Sequence, residues 1–368
     1  MRSEDQTSSL GDESTGTNLR GLTLEDLEKV VAQAGHRTFR ARQIAHWVYQ
    51  RGADSIDSMI DLPSDLRTLL KKSFKSDATM AVVARRSMDG TRKLLLRLHD
   101  GEEIETVIIP AEDRVTLCLS SQAGCAMACG FCATAQMGLH RNLTTGEILS
   151  QIFEARRHLE GDEELTNFVF MGMGEPLANY PRLLLALRIM TAPWGLGISP
   201  RRITVSTVGL IPMVERLLSD VSVNLAVSLH ATTNAVRDRI APINRRYPLE
   251  QLLDSCRKLP LKRRSRITFE YVMLQGVNDS IEDARRLVKL LASLKAKVNL
   301  IFFNPFAAAA FAGSSRAAVE AFQAILRQGN LTATIRESRG LDIAAACGQL
   351  CAERGSTNSK GIVEPHRG

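Results

Sequence analysis

Three cysteines lie close together in residues 124–132, which read Gly-Cys-Ala-Met-Ala-Cys-Gly-Phe-Cys with the spacing C-x3-C-x2-C. Thiolates this close in one loop can bind a single inorganic centre. If Cys125, Cys129 and Cys132 held three irons of a four-iron cluster, the fourth iron would stay open to a substrate. A structural zinc ion would need a fourth ligand, which His140 could supply. The spacing therefore predicts a metal centre and leaves iron–sulfur and zinc open.

Polar residues and glycines stand at the ends of several apolar runs, where they could bind a small molecule. The segment Met171–Pro176 reads Met-Gly-Met-Gly-Glu-Pro, and its glycines would let the backbone approach a ligand closely. The carboxylate of Glu175 can accept hydrogen bonds from an ammonium or hydroxyl group. Further candidates at such ends are Ser206, Ser228, Leu229, His230 and Asn304. Because parallel strands end at a common edge, these positions predict one site.

The elements that must position these residues follow from the hydrophobic pattern. Apolar runs occur at 115–119, 167–171, 202–206, 223–229, 267–274 and 298–303. Helix-like segments separate or follow them at 145–159, 181–191, 211–219, 249–259, 280–294 and 316–328. Alternating strands and helices form a parallel sheet with right-handed crossovers. We therefore expect an α/β protein with a partial (β/α)6 barrel over residues 113–351.

The part before residue 113 has a different pattern. Helical periodicity at 22–34, 39–50 and 64–74 predicts a small helical module over residues 20–78. Alternating residues at 80–87, 92–98 and 102–109, separated by Asp-Gly pairs, predict an antiparallel β-meander over 79–112. The sequence at 1–19 predicts a disordered tail, and residues 352–368 are expected to form a second, polar tail.

Composition and charge argue against a secreted or membrane-spanning protein. The chain has 368 residues and a net charge of +7 (47 basic minus 40 acidic). It has no apolar run of about 18 residues, and its polar start lacks the apolar core of a secretory signal. We therefore expect a cytoplasmic protein without a membrane span, whose seven cysteines serve metal binding or catalysis.

Two segments are rich in basic residues. One is 36–51, which includes Trp47 and Tyr49, and the other is 257–266. Both could bind RNA or form solvated surfaces.

The cysteine loop, with Phe131 before its third cysteine, resembles the signature of the radical S-adenosylmethionine superfamily. Longer segments resemble the dual-specificity RNA adenine-C2 methyltransferases, the RlmN family, over about residues 22–351. These segments are Phe39–Ile44 with Trp47, 105–150, Met171–Pro176, Arg201–Gly209, Ser228–His230, Pro242–Asn244, Asn304–Pro305 and Arg339–Leu350.

The resemblance implies a set of site residues. Cys125, Cys129 and Cys132 would hold a [4Fe–4S] cluster. The S-adenosylmethionine contacts would be Gly174, Glu175, Ser206, Ser228, Leu229, His230 and Asn304. Cys347 would carry the methyl group, Cys118 would be the second catalytic thiol, and Glu105 would accept a proton. From composition alone, Cys118 and Cys347 would both be interpreted as buried core residues.

The resemblance also implies a reaction. Two molecules of S-adenosylmethionine would be used per turnover: one methylates Cys347 and the other yields a radical that activates the methyl group. Attack of Cys118 on the Cys347 sulfur would then release the product and leave a disulfide. The targets would be an adenosine in the peptidyl-transferase region of 23S rRNA and the adenosine beside the anticodon of tRNA. We also expect a monomer that receives electrons from a flavodoxin-like donor.

Two alternatives remain open at this point. A C8-specific (Cfr-like) rRNA adenosine methyltransferase would share the cluster and both catalytic cysteines, although Pro176 resembles the C2-specific group, where the C8 group tends to have Ala. A non-enzymatic RNA-binding protein could instead hold zinc through the three cysteines and His140.

Overall fold

The computed structural model describes residues 17–75, 79–263, 265–306 and 309–351. The tail predicted at 352–368 lies outside these residues, as does most of the tail predicted at 1–19. Residues 17–19 differ from that prediction, because Thr17–Asn18 form a short strand and Leu19 is buried. The described N-terminal part therefore starts before residue 20, since the side chain of Leu19 joins the core.

A small helical module opens the described chain. Its elements are β1 (Thr17–Asn18), α1 (Leu24–Gln33), α2 (Phe39–Ala45), α3 (Ser64–Ser73) and β2 (Phe74–Lys75). The three predicted helices are confirmed, and α2 continues into a π-helical turn at His46–Gln50. Thr23 caps α1 in a capping box with Asp26, which satisfies donors at the helix start. Tyr49 is buried and donates a hydrogen bond to the Leu22 carbonyl, so it belongs to the core and not to the basic surface.

Antiparallel strands follow this module. They are β3 (Thr79–Arg86), β4 (Arg92–Leu98) and β5 (Glu103–Ala111), and β5 pairs in turn with β6 (Arg114–Cys118). In the last pair Val107 lies opposite Cys118. The meander strands are therefore continuous with the sheet of the barrel across the boundary expected at 112/113.

The three cysteines lie between the two strands of a hairpin that was not predicted from the sequence. It pairs β7 (Gln122–Gly124) with β8 (Leu139–Asn142), and α4 (Ala133–Gln136) lies between them. Gly124 has φ +76°, and a Cβ atom there would lie 2.0 Å from the Gly138 carbonyl oxygen. Only glycine fits this position, so the start of the cysteine loop depends on it.

Alternating helices and strands make up the rest of the chain. The helices are α5 (Thr145–Arg157), α6 (Tyr180–Thr191), α7 (Ile211–Asp220), α8 (Asn234–Ile240), α9 (Leu249–Lys258), α10 (Ile281–Leu291) and α11 (Arg316–Gln328). The strands are β9 (Leu165–Phe170), β10 (Ile203–Thr207), β11 (Asn224–Ser228), β12 (Ile267–Met273), β13 (Ala296–Phe302) and β14 (Thr332–Arg336).

Together with β3, β4, β5 and β6, these six strands form one ten-stranded sheet in the order β14-β13-β12-β11-β10-β9-β6-β5-β4-β3. From β6 to β14 the neighbours pair in parallel, with helices in every connection. The six predicted strand–helix units of the partial barrel are therefore confirmed. The sequence did not predict α8 or the seventh parallel strand, β14. Among the described helices, none combines the length and apolar character that crossing a membrane requires.

Candidate functional site

Two cavities meet inside the barrel. The upper cavity lies at the carboxyl ends of the strands, and its lining includes Cys129, Ser206 and His230. The lower cavity, about 510 Å³ in volume, extends towards the amino ends of the strands, where Arg114, Thr204, Thr268 and Lys297 line it, and it also includes Cys118 at the end of β6. Both cavities are lined by Met171, Glu270, Ile301, Asn304, Arg336 and Cys347. These shared residues form the junction between the two cavities.

The three cysteines of the C-x3-C-x2-C loop all line the upper cavity. Burial raises the pKa of Cys125 to about 11 and that of Cys129 well above its usual value. Nearby thiol charges add to both shifts, since Cys132 lies close to both. Such thiols lose their protons readily only to a strongly positive metal centre, so their environment fits a buried metal cluster.

The loop is fixed by its main chain. The Cys125 N–H donates to the Gly138 carbonyl at 2.7 Å, and the Gly130 N–H donates to the Ile240 carbonyl at 2.9 Å. The Ala133 N–H donates to the Gly348 carbonyl at 2.7 Å, which ties the loop to the segment that contains Cys347.

His140 does not complete a zinc site. It lies on β8, its Nδ1 is 2.7 Å from the Glu102 carboxylate, and it lines neither cavity. Within the described parts of the chain, no three His, Cys, Asp or Glu side chains are arranged to hold one metal ion. A four-iron cluster takes each thiolate on a different iron, so its cysteines need not converge on one point. The arrangement therefore fits a four-iron cluster better than a zinc ion.

Gly174 and Glu175 form a tight turn at the upper cavity. Gly174 has φ +97°, and a Cβ atom there would lie 2.5 Å from the Gln122 Cβ atom. Glu175 is buried, and its two oxygens accept the N–H groups of Leu177 at 3.0 Å and Val208 at 2.9 Å. Burial raises the pKa of Glu175 to about 7. Each oxygen can accept a second hydrogen bond, so the carboxyl group is available to a ligand in the cavity.

Three further candidates, Ser206, Ser228 and His230, also line the upper cavity. His230 has φ +59°, and its Nδ1 accepts the Val272 N–H at 3.0 Å, which leaves the proton of the neutral ring on Nε2. Burial lowers the pKa of His230 to about 3, so the ring is neutral at physiological pH. Its ring packs edge-on against Phe131, with centroids 4.4 Å apart.

Leu229 is the one predicted cofactor contact that lines neither cavity. Its side chain is fully buried in the core, and its carbonyl accepts from Arg237 Nε at 3.1 Å. Because a strand alternates its side chains between two faces, the residue after Ser228 turns away from the barrel interior.

Arg237, which the sequence did not single out, organises this end of the barrel. Its guanidinium is fully buried and also donates to the Val208 carbonyl at 2.7 Å and to Asn244 Oδ1 at 3.0 Å. Burial lowers the pKa of Arg237 to about 10, which leaves it positively charged at neutral pH. One side chain thus joins the ends of β10 and β11 to the turn that contains Asn244.

The structure brings Cys118 and Cys347 to one cavity. Cys118, at the end of β6, lines the lower cavity, and Cys347 lines both cavities. Burial raises the pKa of Cys118 to about 12, and the charge of Cys347 contributes to the rise. All seven cysteines are free thiols, so the disulfide that the resemblance implies is not present in this structure.

Glu105 lies away from both cavities. Its buried carboxylate pairs with Lys93 Nζ at 2.8 Å and accepts the Cys351 N–H at 2.8 Å. Lys93 Nζ also donates to the Ala344 carbonyl at 3.1 Å. This buried ion pair therefore holds the segment around Cys347 at both of its ends.

Glu270 and Arg336 are junction residues that the sequence analysis did not identify. Glu270 lies inside β12, whose residues are all buried, so its position gave no sign of a ligand. Arg336 ends β14 and donates from Nη1 to the Met171 sulfur at 3.5 Å. The alternation in Thr332–Arg336 is a strand signal that could have revealed its inward face.

Basic side chains occupy two surfaces. On the helical module Arg37, Arg42 and Arg51 are exposed, and Arg51 stacks over Trp47 with its guanidinium 4.4 Å from the ring centroid. The second surface follows the amino ends of the barrel strands. Its exposed residues are Arg114, Lys262, Arg263, Arg266 and Lys297; Arg264 of the same run lies outside the described residues. Arg114 and Lys297 also line the lower cavity. The acidic Glu337 lines it too, and Arg114 lies 3.9 Å from the Asp113 carboxylate, but the basic residues outnumber these two acids, so this edge of the cavity is positive.

Comparison with known proteins gives consistent matches over most of the chain. Residues 119–288 match the model of the radical SAM superfamily, and residues 17–75 match the model of a ribosomal RNA large subunit methyltransferase N-terminal domain. The chain is 51% identical to the "Dual-specificity RNA methyltransferase RlmN" of Geobacter sulfurreducens, over 91% of this chain and 92% of that protein. It is 49% identical to the protein of the same name from Anaeromyxobacter sp., over 95% and 94%. Among solved structures, a radical SAM methyltransferase from Sphaerobacter thermophilus superposes with a TM-score of 0.88 at 46% identity, covering 92% of this chain and all of that one.

Proposed function

The chain belongs to the RlmN family of dual-specificity RNA methyltransferases, and on this premise we propose that it methylates C2 of adenosine in 23S rRNA and in tRNA. The observation that carries the proposal is the position of Cys347. It lines the upper cavity together with three cysteines and the lower cavity together with a fourth, Cys118. A residue that takes a methyl group from a cofactor in one cavity and transfers it to an RNA base in the other must lie at the junction of the two cavities.

The upper cavity fits a [4Fe–4S] cluster and S-adenosylmethionine. Cys125, Cys129 and Cys132 hold the cluster in this proposal. The S-adenosylmethionine contacts are Gly174, Glu175, Ser206, Ser228, His230 and Asn304. When bound, the two groups supply an activated methyl group and a carbon radical. The protein orients them and excludes water: Glu175 is buried and presents acceptor oxygens, and neutral His230 presents an N–H donor.

The lower cavity is the place we propose for the target adenine. Its volume of about 510 Å³ falls in the usual range for small-ligand sites and is large enough for a nucleoside. The exposed cations Arg114 and Lys297 at its edge attract phosphates. A base turned out of its stack can enter from this side and meet Cys347. These cations favour entry of the base from the amino ends of the strands.

In this arrangement the two catalytic thiols act in sequence. Cys347 accepts the methyl group through its sulfur and loses its thiol proton. The methyl carbon would then lose one hydrogen atom to the radical that the cofactors supply when bound, and would form a bond to C2 of the adenine. C2 would release its own hydrogen as a proton, and the one surplus electron would return to the cofactor site. The Cys118 thiolate then attacks the Cys347 sulfur, so that a sulfur–sulfur bond forms and the sulfur–carbon bond to the product breaks. The carbon that is released takes up a proton and becomes the methyl group. Two electrons from a reductant must restore both thiols.

Four further statements stay predictions. The helical module docks RNA through Arg37, Arg42, Arg51 and Trp47, whose stacked and exposed cations suit a folded RNA surface. A flavodoxin-like donor supplies electrons to the cluster. The protein acts as a monomer, and it acts in the cytoplasm.

The test is nucleoside mass spectrometry of RNA incubated with the anaerobically reconstituted protein, S-adenosylmethionine and a reductant. We expect 2-methyladenosine from both rRNA and tRNA substrates, and none with Cys347→Ala. Cys256→Ala is the matched control, because Cys256 is a buried thiol on α9 that lines neither cavity.

Other outcomes would point elsewhere. Formation of 8-methyladenosine would move the protein to the C8-specific group. Formation of 5′-deoxyadenosine without any methylated nucleoside would keep the radical chemistry and reject the proposed RNA substrates. A protein that binds no iron would contradict the proposal as a whole.

A further inference from the structure

Glu270 on β12 has one buried carboxylate oxygen without a partner. The residue is 3% exposed, and within the described chain its Oε2 has no hydrogen-bond partner. The other oxygen, Oε1, accepts a hydrogen bond from Asn299 Nδ2 at 3.0 Å. Leaving a buried acceptor unsatisfied costs free energy. Because Glu270 also lines both cavities, its unpaired oxygen indicates a ligand that donates a hydrogen bond at their junction.

Hydrogen bonds across the sheet determine which of the two oxygens is already paired. Glu270 lies beside Asn299, and Asn299 lies beside Thr334. Thr334 Oγ1 donates to Asn299 Oδ1 at 2.6 Å, so the Asn299 amide presents its Nδ2 to Glu270. A glutamine at position 270 would therefore turn its carbonyl oxygen to Asn299 and place its NH2 group where Oε2 lies. This substitution converts an acceptor into a donor and keeps the size of the side chain.

The surroundings of Glu270 act on its charge in both directions. Burial raises the pKa of Glu270 above its usual value. The positive charge of Arg336, the hydrogen bond from Asn299 and the charge of Lys297 act against this rise. A hydrogen bond from a ligand to Oε2 would add to these three contributions, so a bound donor favours the ionised carboxylate.

An adenine joined to Cys347 would bring such a donor to the junction. Within an RNA chain, adenosine has two kinds of donor, the 6-amino group and the ribose 2′-hydroxyl. The ring atoms C2, N1 and C6 are consecutive, so the 6-amino group lies on the same edge of the base as C2, whereas the ribose is attached to the other ring. Cys347 and Glu270 both line the junction. A base whose C2 meets Cys347 therefore directs its 6-amino group to the same region.

We propose that Glu270 accepts a hydrogen bond from the 6-amino group of the target adenine and thereby selects adenosine over purines with a 6-oxo group. The inference rests on the proposed function and names a specificity-determining contact of the lower cavity. Enzymes that act on a flipped base read it through hydrogen bonds to this edge. A 6-oxo purine would place an acceptor against Oε2, and both oxygens would then lack a donor.

The experiment compares two tRNA substrates that differ only at the target position, which is adenosine in one and inosine in the other. Inosine keeps the hydrogen on C2 and has an oxygen at C6. The readout is the kcat/KM ratio of the two RNAs, from mass spectrometry of 2-methyladenosine and 2-methylinosine. The inherent difference in reactivity between the two bases cancels when this ratio is compared between enzyme variants.

The adenosine-to-inosine ratio should depend on the group at position 270. In Glu270→Gln we expect it to fall about 100-fold or more, because a site built to bind a substrate N–H group strongly rejects analogues without it. Glu270→Ala offers neither donor nor acceptor and should give an intermediate ratio. Glu154→Gln is the matched control, since Glu154 is a buried carboxylate on α5 that lines neither cavity, and it should keep the wild-type ratio. Partial loss of folding lowers turnover of both RNAs equally and leaves the ratio unchanged.

The cofactor carries the same amino group on its adenine, so the KM for S-adenosylmethionine and the rate of Cys347 methylation without RNA are measured as well. An unchanged ratio with a raised KM and slower Cys347 methylation in Glu270→Gln would overturn the proposal in favour of a contact to the cofactor. An unchanged ratio with normal cofactor use would also overturn it, because Oε2 would then not read the 6-amino group. Absence of 2-methyladenosine from the wild-type enzyme would instead reject the proposed function.

Discussion

The side-chain amide of Asn304 donates a hydrogen bond to the main-chain carbonyl of Cys347 at 3.1 Å. Ser338 Oγ donates to the other end of the same amide, Asn304 Oδ1, at 2.6 Å. A residue proposed to contact S-adenosylmethionine therefore also holds the residue proposed to accept its methyl group. If both assignments hold, one side chain couples cofactor binding to methyl transfer.

Replacing Asn304 should weaken the positioning of Cys347 and slow its methylation. Asn304→Ala removes the donor to the Cys347 carbonyl, and a hydrogen bond of about 1–1.5 kcal/mol corresponds to about a tenfold change. We expect methylation of Cys347 to slow by about tenfold, measured by mass spectrometry of the Cys347 peptide after incubation with S-adenosylmethionine. Ser338→Ala should have a smaller effect, since it only orients the amide. An unchanged methylation rate in Asn304→Ala would show that the contact does not position Cys347.

Arg237 should control the stability of the cofactor end of the barrel. Arg237→Lys leaves at least one of the acceptors Val208 O, Leu229 O and Asn244 Oδ1 without its donor, because lysine cannot reproduce the guanidinium geometry. We expect a loss of about 2–4 kcal/mol in the free energy of unfolding, measured by urea denaturation. Arg285→Lys, on the exposed side of α10, is the control and should change the free energy of unfolding by less than about 0.5 kcal/mol. Equal stability of the two variants would contradict the organising role.

The ion pair between Lys93 and Glu105 should act as one unit. Both side chains are below 10% exposed, so Lys93→Met leaves a buried carboxylate unpaired. Removing one partner of such a pair costs about 3–5 kcal/mol, which we expect as a loss in the free energy of unfolding. The double variant Lys93→Met/Glu105→Gln should recover much of this loss. If the double variant is as unstable as the sum of the single ones, the two residues do not form a coupled pair.

Much of the barrel could be predicted from the sequence because each parallel strand is a buried apolar run. β14 was not predicted because Thr332–Arg336 is short and mostly polar, and two of its polar residues, Thr334 and Arg336, line the cavities. Arg336 was not identified for the same reason, because it is the last residue of this short polar strand. The cysteine loop and the turn at Gly174 were recognisable, since their residue types and spacing are local features.

Relationships between distant segments could not be predicted in this way. The position of Glu270 at the junction of the two cavities depends on the register of three strands, and the hydrogen bond that Glu105 accepts from Cys351 depends on a segment about 245 residues further along. Leu229 shows the same limit, because only the pleat of β11 decides that its side chain enters the core.

The attack of Cys118 on Cys347 should depend strongly on pH. Because burial raises the pKa of Cys118 to about 12, the thiol is protonated at neutral pH, and its thiolate fraction rises about tenfold per pH unit below that value. Since pH 6 to 8 spans two units, we expect the single-turnover rate of product release to rise about 100-fold over this range, measured by rapid quench and nucleoside mass spectrometry. Arg336 lowers the pKa of Cys118, so Arg336→Gln should slow release at every pH while keeping the slope. A rate that does not change with pH in the wild type would show that thiolate formation at Cys118 does not limit release.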